Sequence, residues 1–156
     1  MKHSRVMVAA AALMVSGMAV WAETQDPFAD IVETRHGLMM QMAADVAKMG
    51  AMVKGEAPYD AAVAGKAAAN VAAVASVISM DQFPAGSENG KAADSFAKAE
   101  IWANQTDFLA KLADLNTAAA TLKDGAGKDA DTLKTDMMAL GKACGACHTA
   151  YRQSEG

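Results

Sequence analysis

The chain has 156 residues, of which 53% are hydrophobic but only 5% aromatic, and its formal net charge is −4. This length suits a single domain with one core. The excess of acidic residues argues against nucleic acid and anionic lipid as binding partners.

The N-terminal segment has the pattern of an export signal. Lys2 and Arg5 are followed by an apolar run that continues to Trp21 without an acidic residue. This pattern predicts a secretory signal peptide over residues 1–22, so the mature domain would comprise residues 23–156 in the periplasm, without stable insertion into a membrane. The run is short for a membrane span, although an uncleaved anchor remains the alternative. Cleavage would leave 12 basic and 18 acidic residues, which is a net charge of −6.

Apolar residues recur at alternating steps of four and three along the rest of the chain, which predicts amphipathic α-helices. The first helix is expected to begin after Asp26, with Pro27 at its first position. Gly55 and Pro58 end the pattern. The buried face of this helix would comprise Phe28, Val32, Arg35, Met39, Met42, Val46, Met49 and Val53.

Three further helices follow the first. The face of the second would be formed by Tyr59, Ala62, Ala67, Asn70, Val74 and Val77. A polar connection from about Met80 to Ser95 then joins antiparallel neighbours loosely. The third helix carries Ile101, Gln105, Phe108, Leu112, Leu115, Ala119 and Leu122, and the fourth carries Leu133, Met137, Leu140, Cys144, Cys147 and Tyr151. No segment alternates like a strand, so we predict an all-α, antiparallel four-helix bundle with left-handed packing and up-down-up-down order.

The last helix carries the only two cysteines, in the sequence Cys144-Gly-Ala-Cys147-His148. Both thiols would lie on one face of the helix, where each can add to one vinyl group of the same porphyrin. His148 lies one turn after Cys144, so its imidazole can ligate the iron. The motif therefore predicts one covalently attached haem c per chain, with Cys144 and Cys147 forming the thioethers and His148 as the proximal axial ligand. Such a flat apolar group would also supply the bulk that a core of Ala, Val, Leu and Met lacks.

Three other interpretations of the motif are weaker. A redox disulfide of the thioredoxin type expects a strand and a helix around the cysteines, and none is visible. A zinc site needs two more ligands, and outside the motif the only other histidines are His3 and His36. A structural disulfide would close a loop too short to stabilise the chain much.

The C-terminal position of the motif resembles that in the class II cytochromes c, the cytochrome c′ group. Other stretches that match this family are Glu33-Thr-Arg35, Val53-Lys-Gly-Glu-Ala-Pro-Tyr-Asp60, Glu100-Ile-Trp102 and the residues around the motif from 141 to 152. The resemblance covers essentially the whole mature chain. It implies that the first helix supplies the residue on the open face of the haem, four positions after an arginine that approaches the propionates. On this chain these residues are Met39 and Arg35.

The identity of the distal residue separates two kinds of family member. Typical cytochromes c′ have a non-ligating Leu, Phe or Tyr there, and their five-coordinate iron is open to small gases. Met39 instead resembles the low-spin members, in which a methionine thioether is the sixth ligand and closes the site. Met39 as core filler remains the alternative, because methionine adapts to irregular gaps. Met40 should face away and Met42 should line the pocket, whereas His36 lies off the stripe and is assigned no role.

The resemblance favours a periplasmic, monohaem class II cytochrome c that carries single electrons between redox proteins and is not an enzyme. The alternatives are a five-coordinate cytochrome c′ that binds nitric oxide or carbon monoxide, and a small peroxidase-like or sensor protein. The resemblance also implies a homodimer through the first two helices. Additional apolar surface for that contact would come from Met40, Met49, Met52 and the valines of the second helix.

Overall fold

The computed structural model describes residues 26–154, so the predicted signal peptide lies outside the described residues. The α-helices of this part are α1 (Ala29–Val53), α2 (Ala61–Val77), α3 (Glu100–Ala103), α4 (Gln105–Gly125) and α5 (Ala130–Tyr151), and a short 3₁₀ helix spans Met80–Gln82. The four long helices form a ring in which α1 packs against α2 and α5, and α4 packs against the same two. Short loops join α1 to α2 and α4 to α5, so these neighbours run antiparallel. The predicted all-α four-helix bundle is confirmed, and no helix between residues 26 and 154 has the length and apolar character needed to cross a membrane.

The start of α1 differs from the prediction. The helix begins at Ala29 with Phe28 at its N-cap position, so the predicted start directly after Asp26, with Pro27 as the first helical residue, is wrong. Asp26 instead accepts hydrogen bonds from the backbone N–H of Ala93 at 2.5 Å and of Phe28 at 2.8 Å. These two bonds, the one from Ala93 first, hold the pKa of the Asp26 carboxyl below its usual value. The carboxylate therefore joins the start of α1 to a segment 67 residues away in the chain.

The buried face of α1 includes one residue that the sequence pattern does not identify. The predicted residues that are fully buried are Val32, Arg35, Met42 and Met49. Asp45 is also buried, with 1% of its surface exposed. Its carboxylate accepts hydrogen bonds from Gln41 at 2.8 Å, Lys48 at 2.8 Å and Asn70 at 3.2 Å. Because Asn70 belongs to α2, this carboxylate ties the first two helices together.

Replacing Asp45 by alanine should lower the free energy of unfolding by about 1–3 kcal/mol, because three hydrogen bonds to a buried carboxylate are lost, one of them from α2. Burial opposes ionisation of this carboxyl, but the bonds from Lys48, Gln41 and Asn70 hold its pKa below the usual value. Its contribution is therefore present at neutral pH and is lost as the pH falls from about 4 through the lowered pKa. Urea unfolding between pH 7 and pH 3 measures this, with Asp114→Ala on the exposed face of α4 as the control. Equal losses in the two variants at pH 7 would contradict the prediction.

The buried face of α2 is not the predicted one. Its fully buried residues are Ala64, Ala67, Ala68, Val71 and Ala75. Of the predicted residues, Ala62 and Val77 are exposed and only Ala67 is fully buried. The helix carries alanine on all sides, so its sequence offers little contrast between faces. Packing against α1 and α4 decides which side is buried.

The third predicted helix is interrupted at Asn104, whose backbone (φ −124°, ψ 45°) is not helical. Its first turn becomes α3 and the remainder becomes α4. Gln105 is exposed directly after the interruption, so its predicted place on the buried face is wrong. The other predicted residues of that face are buried, namely Ile101, Phe108, Leu112, Leu115, Ala119 and Leu122.

The connection between α2 and α3 is attached to the helices at several points. Its polar composition predicts a loose segment, and that prediction is wrong. The Trp102 indole N–H donates to the Phe83 carbonyl at 3.0 Å. After α5 ends, the backbone N–H of Gln153 donates to the Phe96 carbonyl at 2.7 Å. The connection is therefore held against α3 at one end and against the end of α5 at the other.

Candidate functional site

A cavity of about 630 Å³ lies between α1, α4, α5 and the connection that precedes α3. Cofactor pockets commonly have volumes of about 300–1,000 Å³. Most of its wall is apolar and includes Val46, Ile78, Phe83, Ile101, Phe108 and Leu112. Each residue that the sequence assigns to the site also lines this cavity, namely Arg35, Met39, Cys144, Cys147 and His148.

The cysteines lie half-buried on the cavity side of α5, one turn of an uninterrupted helix apart. Burial raises the pKa of the Cys144 thiol. Burial, the neighbouring Cys144 and the Asp107 carboxylate raise the pKa of Cys147 to about 11, against an opposing effect of Lys111. Both thiols are therefore protonated at neutral pH, unlike the low-pKa thiolate of a catalytic redox disulfide. Within residues 26–154, no group of three or more His, Cys, Asp or Glu side chains is arranged to hold a metal ion.

His148 lies one turn after Cys144 and lines the same cavity. The protein atoms around its ring, and then the positive charge of Arg152, lower the pKa of the imidazole. The ring is therefore neutral at pH 7, which is the form that ligates iron.

Three neighbouring methionines of α1 differ in their position relative to the cavity. Met42 is buried and lines it, and Met39 lines it while half-buried. Met40 lies at the rim with 70% of its surface exposed. The decrease in burial from Met42 to Met39 to Met40 agrees with the predicted directions of the three side chains around the helix. Met39 is therefore one of two thioethers inside the cavity.

Arg35 is buried on α1 and holds the connection between α2 and α3. Its Nη1 donates to Ser87 Oγ at 3.0 Å, and its Nη2 donates to the Ser87 carbonyl and to Ser95 Oγ, both at 3.1 Å. Its guanidinium carbon lies 5.0 Å from the centre of the Phe83 ring. Burial lowers the pKa of this guanidinium. Among the described residues its hydrogen-bond partners are hydroxyl and carbonyl oxygens, so a haem propionate would supply the opposite charge.

His36 also belongs to the cavity wall, although the sequence assigns it no role. It is half-buried, and its ring lies 6.1 Å from that of Phe96. The cavity is wider than the apolar stripe of α1, so a residue beside the stripe still reaches it. Two aromatic residues between α2 and α3, Phe83 and Phe96, are the signal in the sequence that this segment packs against something apolar.

These residues fit a covalently attached haem. The cavity has a suitable volume and an apolar wall. Two protonated thiols and a neutral imidazole lie along the helix that borders it. A thioether and a buried cation border it from α1. The side chains around the cavity therefore include the two thiols that can attach a haem, an imidazole and a thioether that can ligate iron, and a cation that a propionate would neutralise.

Comparisons with known proteins agree with this geometry. A sequence-family model described as Cytochrome C′ matches residues 30–152. Cytochrome c-554 of Cereibacter sphaeroides is 47% identical, over 95% of this chain and 98% of its own. The solved cytochrome c prime from Shewanella frigidimarina is 37% identical with a TM-score of 0.74, over 81% of this chain and 97% of its own. A further solved cytochrome c′, one with a ligand-controlled dimer dissociation, is 28% identical with a TM-score of 0.74. The match covers 81% of this chain and 97% of that protein. The chain belongs to the cytochrome c′ family, the class II cytochromes c, and its cofactor is covalently attached haem c.

Proposed function

We propose that this chain is a periplasmic carrier of single electrons. Its haem would be attached through Cys144 and Cys147, with the iron held between His148 of α5 and Met39 of α1. The observation that carries the proposal is that these four side chains line one cavity. When bound, the haem supplies a one-electron iron couple, while the side chains of this chain provide its ligands and surroundings.

The fixed position of α1 supports a ligand role for Met39. Arg35, one turn before Met39, is bonded to the connection, and Asp45, further along the helix, is bonded to α2. Anchors on both sides hold the backbone of Met39 in place, which a ligand needs. A thioether held in this way would close the site to small molecules and keep the same ligands in both oxidation states. Such a closed site suits electron transfer.

Binding of nitric oxide or carbon monoxide is the second candidate function. It would require Met39 to act only as apolar filler beside an open coordination position. One observation favours it. Met39 is only half-buried, so its side chain is less confined than that of Met42, and an unconfined thioether would leave the coordination position open. In one solved member of the family, a ligand controls dissociation of the dimer.

Redox proteins are the proposed partners, and a homodimer is proposed because the family includes dimeric members. The apolar surface available on the first two helices is smaller than predicted. Met49 is fully buried, so its predicted contribution is wrong, and Met40 lies at the cavity rim. The exposed valines of α2 are Val63 and Val77, with exposures of 43% and 52%. Met49 is lost from the surface because it packs into the core of the bundle.

The optical spectrum of the purified ferric protein tests the proposed function. We expect a low-spin spectrum with a methionine-to-iron charge-transfer band, and slow binding of carbon monoxide by the ferrous form. A high-spin spectrum with rapid carbon monoxide binding would reject the carrier and favour the gas-binding candidate. Extraction with acid acetone is the control. It should leave the haem on the chain, and haem recovered in the solvent would contradict attachment through Cys144 and Cys147.

A further inference from the structure

A short hydrogen bond joins α4 to the end of α5 beside the candidate haem site. The Tyr151 hydroxyl donates to Asp107 Oδ2 at 2.6 Å, the length of a charge-assisted bond to a carboxylate. Tyr151 is buried, lies one turn after His148 and lines the cavity. Asp107 lies in the first turn of α4, where the helix N-terminus favours a negative charge.

The tyrosine is fixed on several sides. Its ring packs edge-to-face against Phe108, with centroids 5.2 Å apart and planes at 81°. Its backbone carbonyl accepts a hydrogen bond from the Lys98 N–H at 2.9 Å. The Asp107 bond, and then burial, raise the pKa of Tyr151 to about 12, so the hydroxyl keeps its proton at neutral pH. A rigid donor of this kind holds the carboxylate in one place, although 56% of the Asp107 side chain is exposed.

This carboxylate lies beside the candidate haem site, because its partner Tyr151 lines the same cavity as Cys147 and His148. Lys111, one turn further along α4, places its Nζ 3.7 Å from Asp107 Oδ1. The first two turns of α4 therefore present a negative and a positive charge to the same side of the site.

We propose that Asp107 is a fixed negative charge that lowers the reduction potential of the haem, and that Tyr151 is the positioning residue that holds it. The oxidised site carries one more positive charge than the reduced site, so a nearby carboxylate favours loss of the electron to the redox partner. Lys111 offsets part of this effect. The inference rests on the proposed electron transfer and on haem attachment at Cys147, but not on Met39 as a ligand.

The test is a spectroscopic redox titration of the haem-loaded protein and its Asp107→Asn variant. The variant should raise the reduction potential and shift the one-electron equilibrium about threefold, which is ~30 mV at 59 mV per tenfold change. Lys111→Gln should shift it in the opposite direction. Asp114→Asn is the matched control, because it removes the same charge from α4 about 10 Å further along the helix. A shift in Asp107→Asn no larger than that in Asp114→Asn would overturn the proposal.

Tyr151→Phe tests the positioning role. It should raise the potential by part of the Asp107→Asn shift, because the released carboxylate moves into solvent and is screened. Adding Tyr151→Phe to Asp107→Asn should change nothing further, since the hydroxyl acts only through the carboxylate. Additive shifts would overturn this role. The spin state of the wild-type protein tests the Met39 ligand separately. A high-spin spectrum would reject Met39 as the ligand, but the potentials of Asp107→Asn and Asp114→Asn could still be compared.

Discussion

Replacing Met39 by leucine is expected to convert the ferric protein from low spin to high spin and to abolish the methionine-to-iron charge-transfer band. Leucine fills nearly the same volume, so the packing cost should stay below about 1.5 kcal/mol, but it offers no ligand atom. The ferrous variant should then bind carbon monoxide rapidly. Optical and electron paramagnetic resonance spectra measure the spin state. An unchanged spectrum would show that Met39 is not the ligand.

Neighbouring residues provide the controls. Met42→Leu in the cavity and Met40→Leu at its rim should leave the spectrum of the wild type unchanged. His36 lines the same cavity, so its imidazole could replace the lost thioether. A Met39→Leu protein that stays low-spin, and becomes high-spin when His36→Gln is added, would identify that replacement. A double variant that remains low-spin would contradict the assignment of Met39.

Replacing both Cys144 and Cys147 by serine should leave helices without fixed tertiary packing once the haem is lost. The cavity has a volume of about 630 Å³, and the buried face of α2 is mainly alanine. Without haem, water would enter this partly open, largely apolar cavity, and its wall would lose the stabilisation from buried apolar surface, about 25 cal/mol per Å². We therefore expect the bundle without haem to collapse partly into the cavity and to lose its fixed packing.

Spectroscopy of the haem-free double variant measures this loss of packing. We expect strong far-ultraviolet dichroism, weak near-ultraviolet dichroism, binding of a hydrophobic dye and a broad thermal transition. The haem-loaded wild-type protein is the reference, and Cys144→Ser alone should keep the haem through one thioether. Sharp, well-dispersed amide proton resonances from the double variant would show that the polypeptide packs by itself.

The sequence by itself determined two kinds of feature: the helices whose apolar and polar faces differ clearly, and the residues whose spacing defines a site of covalent attachment. Large apolar side chains recur along α1, α4 and α5, and burying each contributes about 1.5–3 kcal/mol, so their stripes predict most of the buried faces. The spacing of Cys144, Cys147 and His148 on one helix places their reactive atoms relative to one another. Haem c could therefore be predicted before any tertiary contact was known.

Only the tertiary structure decided the features that depend on residues far apart in the chain. Asp45 resembles a surface residue until Asn70 of α2 is placed 3.2 Å from it. Asp107 and Tyr151 are separated by 44 residues, and nothing in either helix indicates their bond. The buried side of α2 was decided in the same way. An alanine methyl contributes little free energy on burial, so the sequence of α2 hardly favours one face of the helix over another. Packing against α1 and α4 decides which face is buried.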